Sequence, residues 1–456
     1  MKKNSFIYQT LTVLFSLISL LCLSSCEKDN PQGKETALDD LLENVDYRIT
    51  EENYYTVEEM ADLIYGPDGT NPDDADLRRQ FLESCEQQIA ETNNSFPPTG
   101  FITYRYEYRT YRSDGFDDWL SAFMAVGANP LGICEQNNIY LVCPYTHTLA
   151  KECATRSKGG EEYKYFLSIQ NVFIMPDGQG FGATADRVQP YVDHIDQATQ
   201  IYDALAAGMK LFQKEKGKMK DDWKLRVIGA SQGAGDAMAV HKLLDTTPID
   251  NFGTYLRDAW NFDYSYVCCG PYCPEATMQA YHRDGVVYYP CVVPLVIESM
   301  LDCHWNSEVR WTRWKYKKKR FYTEEWWKLW EQEFKFIYGD KTMASEELNK
   351  HICNKLGVDI TARKLSLPLD KMLSEEILDS KSDIYDNLME CLRRQDLTSG
   401  WTPKTKTKIY YSKKDEVVPY VNTERLIKLF GDKCEAEEAF WDGHVACCMQ
   451  FMAKSW

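Results

Sequence analysis

The sequence is poor in basic residues for its size and, beyond its N-terminal segment, has no apolar run long enough to cross a membrane. Its 456 residues include 52 Lys and Arg against 69 Asp and Glu, which gives a formal net charge of −17. Because nucleic acids are bound by clustered cations, this acidic excess, spread along the chain, argues against a nucleic-acid partner. The lack of a long apolar run favours a soluble globular body.

The sequence also lacks the cysteine and histidine spacings that metal and redox sites use. Cys269 and Cys273 are separated by three residues, whereas redox motifs have two. Cys303 and His304 are potential ligands, but neither a Cys-x-x-Cys motif nor a histidine pair lies near them. We therefore expect no metal and no cofactor. Of the 16 cysteines, fourteen follow the first 26 residues, an even number that permits disulfides in an exported protein without fixing their pairing.

The N-terminus has the pattern of a secretory signal. Two lysines precede an apolar segment at 11–23, and Leu-Ser-Ser then leads into Cys26. This pattern resembles the lipobox of bacterial lipoproteins, which implies a signal peptide at 1–26 and a lipid on Cys26. The acidic 27–29 is similar to the sorting signal of Bacteroidetes surface lipoproteins. We expect an outer-membrane lipoprotein of the cell envelope, periplasmic or surface-exposed and attached through its lipid alone; an uncleaved anchor or a freely secreted form is the alternative.

The stretch at 223–244 predicts a strand, a tight turn and a helix. An apolar run with Val227 and Ile228 reaches Gly-Ala-Ser-Gln-Gly at 229–233, and apolar residues then recur at helical spacing. A serine on such a turn is held in strained backbone geometry, with its hydroxyl exposed above the sheet edge and near the first helical amides. Ser231 is thus a candidate nucleophile, and a chance match to the pentapeptide is the alternative.

Short apolar strands alternate with helical segments on both sides of this turn. An antiparallel pair is predicted at 101–109 and 119–126. Later strands are predicted at 139–143, 171–175, 225–228, 264–268, 407–412 and near 439–441. This alternation implies βαβ crossovers and an α/β fold with a mostly parallel sheet flanked by helices.

The pattern divides the chain into five segments. After the signal, we predict a tether and helical appendage at 27–98, with helices at 41–65 and 73–92, and the first part of the α/β core at 99–273. Residues 274–401 show no strand alternation and are interpreted as an inserted helical cap, and 402–456 complete the core. The tryptophans of the cap line a substrate pocket or form the cap's own core.

Serine, acid and histidine occur along the chain in the order Ser231, Asp415, His444. Asp415 and His444 each follow a late predicted strand, at the sheet edge where α/β proteins hold their ligands. Histidine titrates near neutral pH and can take the serine proton, while a buried carboxylate orients the imidazole and stabilises its cation. A structural histidine and an ordinary loop carboxylate are the alternatives. Asp442 is a rival acid, but it lies too near His444 in the sequence to be the expected partner.

Taken together, these motifs resemble those of the α/β-hydrolase superfamily. GASQG at 229–233, DEVVP at 415–419 and DGH at 442–444 match its nucleophile turn, acid loop and histidine loop. PDGQGFGAT at 176–184 and GPY at 270–272 are similar to segments of secreted esterases and lipases related to the fungal secretory lipases and to Bacteroidetes lipoprotein hydrolases. The resemblance implies an α/β-hydrolase fold with a cap and hydrolysis of carboxylic esters.

The same resemblance assigns the groups that would stabilise the oxyanion. One donor is the amide of Gln232, which follows the nucleophile. The second is placed after the early strand, near His147 and Thr148, where threonine replaces the glycine that is usual in the family.

Three functions remain open at the level of sequence. The first is an exported, lipid-anchored serine hydrolase that cleaves a small-molecule, glycan or lipid ester through an acyl-enzyme intermediate. The second is a serine peptidase of the same fold, although neither propeller repeats nor an amine-binding acidic pair occurs. The third is a non-catalytic surface binding lipoprotein; the complete triad argues against it, and the altered glycine at Thr148 favours it.

Overall fold

The computed structural model covers most of the chain after its N-terminal segment. The described residues are 31–67, 72–92, 96–111, 117–157, 163–302, 317–358 and 366–454. The predicted signal peptide, the lipid site at Cys26 and the Cys303-His304 pair lie outside them. Within them, no helix combines the length and the apolarity that crossing a membrane requires.

One large sheet organises the described residues. In chain order, the strands are β1 Tyr47–Thr56, β2 Gly100–Tyr111, β3 Asp117–Asn129, β4 Gly132–Ile133, β5 Asn138–Cys143, β6 Asn171–Pro176, β7 Leu225–Ala230, β8 Phe262–Cys268, β9 Val286–Val287, β10 Leu367–Pro368, β11 Lys406–Tyr411 and β12 Cys434–Glu438. The large sheet has the order β1-β2-β3-β6-β5-β7-β8-β11-β12, with β4 beside β3, while β9 and β10 form a separate pair.

The six strands from β6 to β12 in this order run parallel. The three strands at the other end, β1 to β3, are antiparallel to their neighbours. The predicted mostly parallel sheet with an antiparallel start is therefore confirmed. Its central strands are apolar on both faces, as in Val227 and Ile228 of β7, because helices cover both sides.

The helices, in chain order, are α1 Pro31–Leu42, α2 Val57–Tyr65, α3 Pro72–Ala90, α4 Tyr163–Phe166, α5 His194–Lys214, α6 Gln232–Thr246, α7 Leu256–Ala259, α8 Pro274–Asp284, α9 Val292–Asp302, α10 Glu324–Leu329, α11 Lys335–Asp340, α12 Ser345–Lys355, α13 Glu375–Leu378, α14 Asp383–Arg394, α15 Val421–Phe430 and α16 His444–Met452. On one face of the sheet, α5 and α6 bury residues such as Leu205 and Val240 against Val227. On the other face, α2, α3 and α16 pack residues such as Phe81 and Phe451.

The prediction of one helix over 41–65 is wrong in its middle. Residues Tyr47–Thr56 form β1, which pairs antiparallel with β2 and lies at the edge of the main sheet. The segment contains three tyrosines and an isoleucine, which favour a strand, although its acidic residues are also compatible with an exposed helix. The N-terminal region thus contributes an edge strand as well as helices.

The last strand also differs from its prediction near 439–441. The strand is β12, Cys434–Glu438, which is largely exposed and pairs in parallel with β11. Phe440 and Trp441 follow it, with 88% and 55% of their surfaces exposed. The prediction followed the apolar residues, but an edge strand with a solvated face can be acidic.

Between Pro274 and Arg394 the described residues carry helices and the short β9–β10 pair, around an apolar core of their own. Trp326 and Trp330 are buried in this core, and Trp327 packs against it. Trp327 and Trp330 also line a cleft at its edge. The described tryptophans of the cap therefore mainly stabilise the cap itself.

Candidate active site

The turn between β7 and α6 holds Ser231 in a strained conformation. Ser231 has φ 54° and ψ −124°, a region that residues with a side chain rarely adopt. Gly229 and Gly233, on either side of it, have no room for a side chain. A Cβ on Gly229 would lie 2.0 Å from the Gly233 carbonyl oxygen, and one on Gly233 would lie 2.2 Å from the Cys143 carbonyl oxygen at the end of β5. The strand, turn and helix predicted from the sequence are present.

The structure brings Ser231, His444 and Asp415 into direct contact. His444 Nε2 lies 2.9 Å from Ser231 Oγ, and His444 Nδ1 lies 2.8 Å from Asp415 Oδ2. The imidazole and the carboxylate are buried, with 5% and 8% of these residues exposed. The three residues reach this point from β7, from the loop after β11 and from the start of α16, all at the carboxyl end of the parallel strands.

Backbone and side-chain hydrogen bonds fix the acid and histidine loops. The amides of Val417 and Val418 donate to Asp415 Oδ1 over 2.9 and 2.7 Å, which leaves Oδ2 for the imidazole. The His444 amide donates to Glu416 Oε2 over 3.2 Å, so the residue after the acid also holds the histidine. Only the position of Glu416 in the DEVVP motif could have indicated this contact from the sequence.

The rival acid, Asp442, points elsewhere. Its carboxylate pairs with Lys414 Nζ at 2.7 Å, and both side chains are mainly exposed. Of the two candidates, Asp415 is the one that contacts His444.

The pKa of His444 lies well above its usual value. Burial of the imidazole opposes its charged form and lowers the pKa, but the Asp415 carboxylate and the neighbouring Cys448 raise it and together prevail. The pair is therefore arranged to stabilise an imidazolium, the form that arises when His444 accepts the serine proton.

Of the two predicted oxyanion donors, Gln232 lies beside Ser231, whereas Thr148 lines a neighbouring cleft. Gln232 is the first residue of α6, so its amide belongs to the helical turn without intrahelical acceptors, beside Ser231. The Thr148 hydroxyl donates to the Met343 carbonyl oxygen over 2.8 Å, and Thr148 lines a neighbouring cleft that extends towards Lys341.

Tyr145 and Thr146 line the same cavity as Ser231. The Thr146 hydroxyl shares a hydrogen bond of 2.7 Å with the hydroxyl of Tyr191. The oxyanion role of Thr148 therefore stays a prediction.

Ser231 opens into a cavity of about 430 Å³ between the sheet edge and the cap. Its walls are mainly apolar and come from α8, α9, α14 and α16. Residues that line these walls include Val292, Val293, Val296, Ile297, Leu388 and Leu392. The apolar run of α9 is visible in the sequence, but its position above the serine is not. An apolar cavity with the Ser231 hydroxyl at its floor can hold an apolar group against that hydroxyl.

A group of potential metal ligands lies directly behind His444, where the sequence predicted none. The potential ligand atoms of Cys268, Cys269 and Cys447 lie within 4.8 Å of one another, and so do those of Cys269, His444 and Cys448. The four cysteines are here called the cysteine cluster. Two doublets of adjacent cysteines in the sequence were a signal for it, but they are separated by about 180 residues in the chain.

Comparison with known proteins gives structural relatives only. No protein-family model and no curated protein matches the sequence. The rice cell wall degrading esterase LipA from Xanthomonas oryzae is similar over 89% of this chain and 94% of its own, at 16% identity and a TM-score of 0.61. Candida antarctica lipase A in its closed state is similar over 76% of this chain and 73% of its own, at 14% identity and a TM-score of 0.50. Identities this low establish architecture rather than activity. Sheet order, strand–turn–helix unit and structural relatives together show that the chain has the α/β-hydrolase fold.

Proposed function

We propose that the protein is an exported serine hydrolase that cleaves carboxylic esters through an acyl-enzyme intermediate. The observation that carries the proposal is the continuous contact from Ser231 through His444 to Asp415 at the floor of an apolar cavity. A fold alone supports many functions, but this arrangement of nucleophile, base and orienting acid is the one that acyl transfer through a serine requires.

In the first half of the reaction, Ser231 Oγ attacks the ester carbonyl carbon while its proton passes to His444 Nε2. Asp415 stabilises the imidazolium, and the new oxyanion accepts hydrogen bonds from the Gln232 amide and from the backbone at Tyr145–Thr146. When the intermediate collapses, the bond to the alcohol oxygen breaks. His444 gives its proton to the leaving alcohol, and the acyl group stays on Ser231.

In the second half, water enters and loses a proton to His444 Nε2 as it attacks the acyl carbon. The second intermediate expels Ser231 Oγ, which takes the proton back from His444, and the free acid leaves. Every proton in this cycle passes through His444 Nε2, and the distance of 2.9 Å between this atom and Ser231 Oγ supports that route.

The cavity supports an ester with an apolar group next to the carbonyl. Its volume falls within the range of about 300–1,000 Å³ that is usual for small-ligand sites, and its walls are mainly aliphatic. One structural relative is described as an esterase that degrades rice cell walls and another as a lipase. We propose a glycan or lipid ester as the natural substrate class.

Turnover of paired substrates tests the reaction class. We expect hydrolysis of p-nitrophenyl acyl esters, lowered by about 10⁴-fold or more in Ser231→Ala. The matched control is Ser84→Ala on α3, remote from the site, which should retain full activity. Turnover of aminoacyl p-nitroanilides without turnover of esters would instead establish a peptidase, and turnover of neither would leave a binding protein.

We also propose that the mature chain is attached to the outer membrane through Cys26, which rests on the lipobox pattern alone. Metabolic labelling with an alkynyl fatty acid should mark the wild-type chain but not Cys26→Ala. Cys434→Ala, at a half-buried cysteine elsewhere, is the control and should label normally. A Cys26→Ala chain that still carries the label would refute the anchor.

A further inference from the structure

A thiol lies in the wall of the cavity above Ser231, one helical turn after the histidine. Of the cysteines that the structure describes, Cys448 is the one that lines this cavity. It follows His444 by four residues on α16, so both side chains lie on the same side of the helix. Its sulfur is 4.0 Å from His444 Nε2. A small molecule that enters the cavity can therefore reach this sulfur.

A second thiol lies behind the first. Cys269 follows the end of β8, and its sulfur, the Cys448 sulfur and a ring nitrogen of His444 all lie within 4.8 Å of one another. Both cysteines are buried and carry free thiols. Two thiols that converge from separate elements, one of them open to a cavity, have the arrangement of an attacking and a resolving cysteine.

The surroundings of Cys448 favour its thiolate, the form in which a cysteine acts as a nucleophile. Hydrogen bonds from Cys268 and Cys269 hold the pKa of Cys448 well below its usual value, and the charge of His444 lowers it further, although burial opposes them. Burial instead raises the pKa of Cys391, a cysteine in the cap. Cys448 thus differs in reactivity from a cysteine that only fills space.

We propose that Cys448 and Cys269 form a thiol-modification site within the cavity, and that this site reacts with small organic disulfides. The Cys448 thiolate attacks one sulfur of the organic disulfide, whose S–S bond breaks, and one organic thiol leaves with the proton that Cys448 released. Cys269 then attacks the Cys448 sulfur, and the second organic thiol leaves with the Cys269 proton. The two cysteines are oxidised to a disulfide by two electrons, and the organic disulfide is reduced to two thiols.

The new disulfide acts on ester hydrolysis through His444. Because a disulfide holds its sulfurs about 2.0 Å apart, its formation draws Cys448, and with it the first turn of α16, towards the loop after β8. This movement changes the contact of 2.9 Å between His444 Nε2 and Ser231 Oγ. The bond also removes the charge of Cys448, which helps to raise the pKa of His444. The effect on hydrolysis rests on the proposed function, whereas the reaction of the thiols does not.

Peptide mass after oxidation tests the site without substrate turnover. All chains carry Cys434→Ser, because Cys434 is half-buried, and the readout is the tryptic peptide 434–454, whose remaining cysteines are Cys447 and Cys448. After reduction, desalting and treatment with 2-hydroxyethyl disulfide, we expect this peptide to be joined to the peptide that carries Cys269. In the Cys269→Ser chain, peptide 434–454 should instead retain one hydroxyethylthio group.

Two adjacent cysteines give a matched pair of variants. Cys448→Ser should form neither the link nor the adduct on this peptide. Cys447→Ser changes the preceding residue, which is not part of the cavity lining, and should form the link as before. The sulfurs of Cys268 and Cys447, 3.6 Å apart, are the rival pair. A link that persists in Cys448→Ser, or an unmodified peptide in Cys447→Ser, would overturn the proposal.

The activity of the chain with both thiols measures the consequence. Hydrolysis of p-nitrophenyl acetate should fall by about tenfold or more on oxidation, because a displaced base loses rate steeply, and should recover with dithiothreitol. A chain that forms the link and keeps its full rate would refute the effect on His444. Absence of hydrolysis in the reduced chain would instead contradict the proposed function and leave the mass readout to decide the thiol site.

Discussion

At the scale of single residues, Gly233 shows how little space the serine turn leaves. A Cβ at this position would lie 2.2 Å from the carbonyl oxygen of Cys143 and 2.8 Å from that of Pro144, and both of these atoms belong to backbone. Side chains can rotate away from a clash, but here a strand end or the helix would have to move. Because Gly233 has no side chain, α6 can approach β5 closely, and this approach sets the position of Ser231.

We predict that Gly233→Ala lowers the free energy of unfolding by about 1–3 kcal/mol, the usual cost of overpacking. The measurement is urea denaturation followed by circular dichroism. Gly339→Ala is the matched control, because no atom lies within 4 Å of its added Cβ. Equal stability of the two variants would show that the turn has more freedom than the structure gives it.

The contact among Ser231, Asp415 and His444 could be predicted because each residue belongs to a local motif and their chain order is characteristic. The position of Thr148 could not, since the amide that faces an oxyanion depends on the path of a loop. The cysteine cluster was missed for a different reason. Cys268 and Cys447 meet only after β8 and α16 have packed, and no short spacing records that contact.

At the scale of elements, Asp245 ties the elbow helix to the point where the chain returns from the cap. It lies near the end of α6, and its Oδ2 accepts from the amides of Lys404 and Thr405 over 2.6 and 3.1 Å, just before β11. Thr405 Oγ1 and His241 Nε2 complete the set at 2.7 and 3.2 Å. Burial raises the pKa of Asp245, but the hydrogen bonds from His241 and Thr405 outweigh it and lower the pKa to about 2.

Because the folded pKa lies below the unfolded value of about 3.9, the Asp245 carboxylate stabilises the fold fully above about pH 4–5 and this contribution is lost as the pH falls through about 2. We predict that Asp245→Ala costs about 3 kcal/mol at pH 7, since it leaves buried donors unpaired. It should also flatten the loss of stability between pH 4 and pH 2. Urea midpoints measured across this pH range report both effects. If the variant loses stability between pH 4 and pH 2 as steeply as the wild type, the lowered pKa is not that of Asp245.

The cap helix α9 forms a wall of the cavity, so its inward face should set the size of the acyl group. Val296 lines the cavity, whereas Leu295, the preceding residue, lines the neighbouring cleft. We predict that Val296→Phe raises KM for p-nitrophenyl octanoate by about tenfold, with little effect on the acetate, because an added ring takes up space that a long chain needs. Leu295→Phe is the control and should leave the ratio of the KM values for octanoate and acetate unchanged. A change of the same size in this variant would show that the inward face of α9 does not set the size of the acyl group.

Secondary structure was predicted correctly for strands that are buried on both faces. The buried parallel strands were found because apolar runs of four to six residues have few other uses in an α/β chain. At the sheet edges, where one side is solvated, the signal failed. Tyr47–Thr56 and Cys434–Glu438 are both acidic strands, and their pairing with β2 and β11 decides their structure rather than their composition.

At the scale of the whole molecule, the sheet brings together residues that lie in separate local motifs. Ser231, Asp415 and His444 are separated by as many as 213 positions in the chain, and parallel strands bring their following loops to one edge. The cap then closes a cavity over that edge. The fold class was predictable from alternating strands and helices, but the shape of the cavity was not, because it depends on how helices of the cap pack on each other.

The central claim is that Ser231 is a nucleophile activated by His444. Intact-mass analysis after treatment with a fluorophosphonate tests it most directly, since this probe reacts readily with a serine whose proton has an acceptor. We predict one adduct per chain, located by peptide mapping on Ser231 and absent from folded Ser231→Ala and His444→Ala. An unmodified wild-type chain, or equal labelling of Ser231→Ala, would contradict the account.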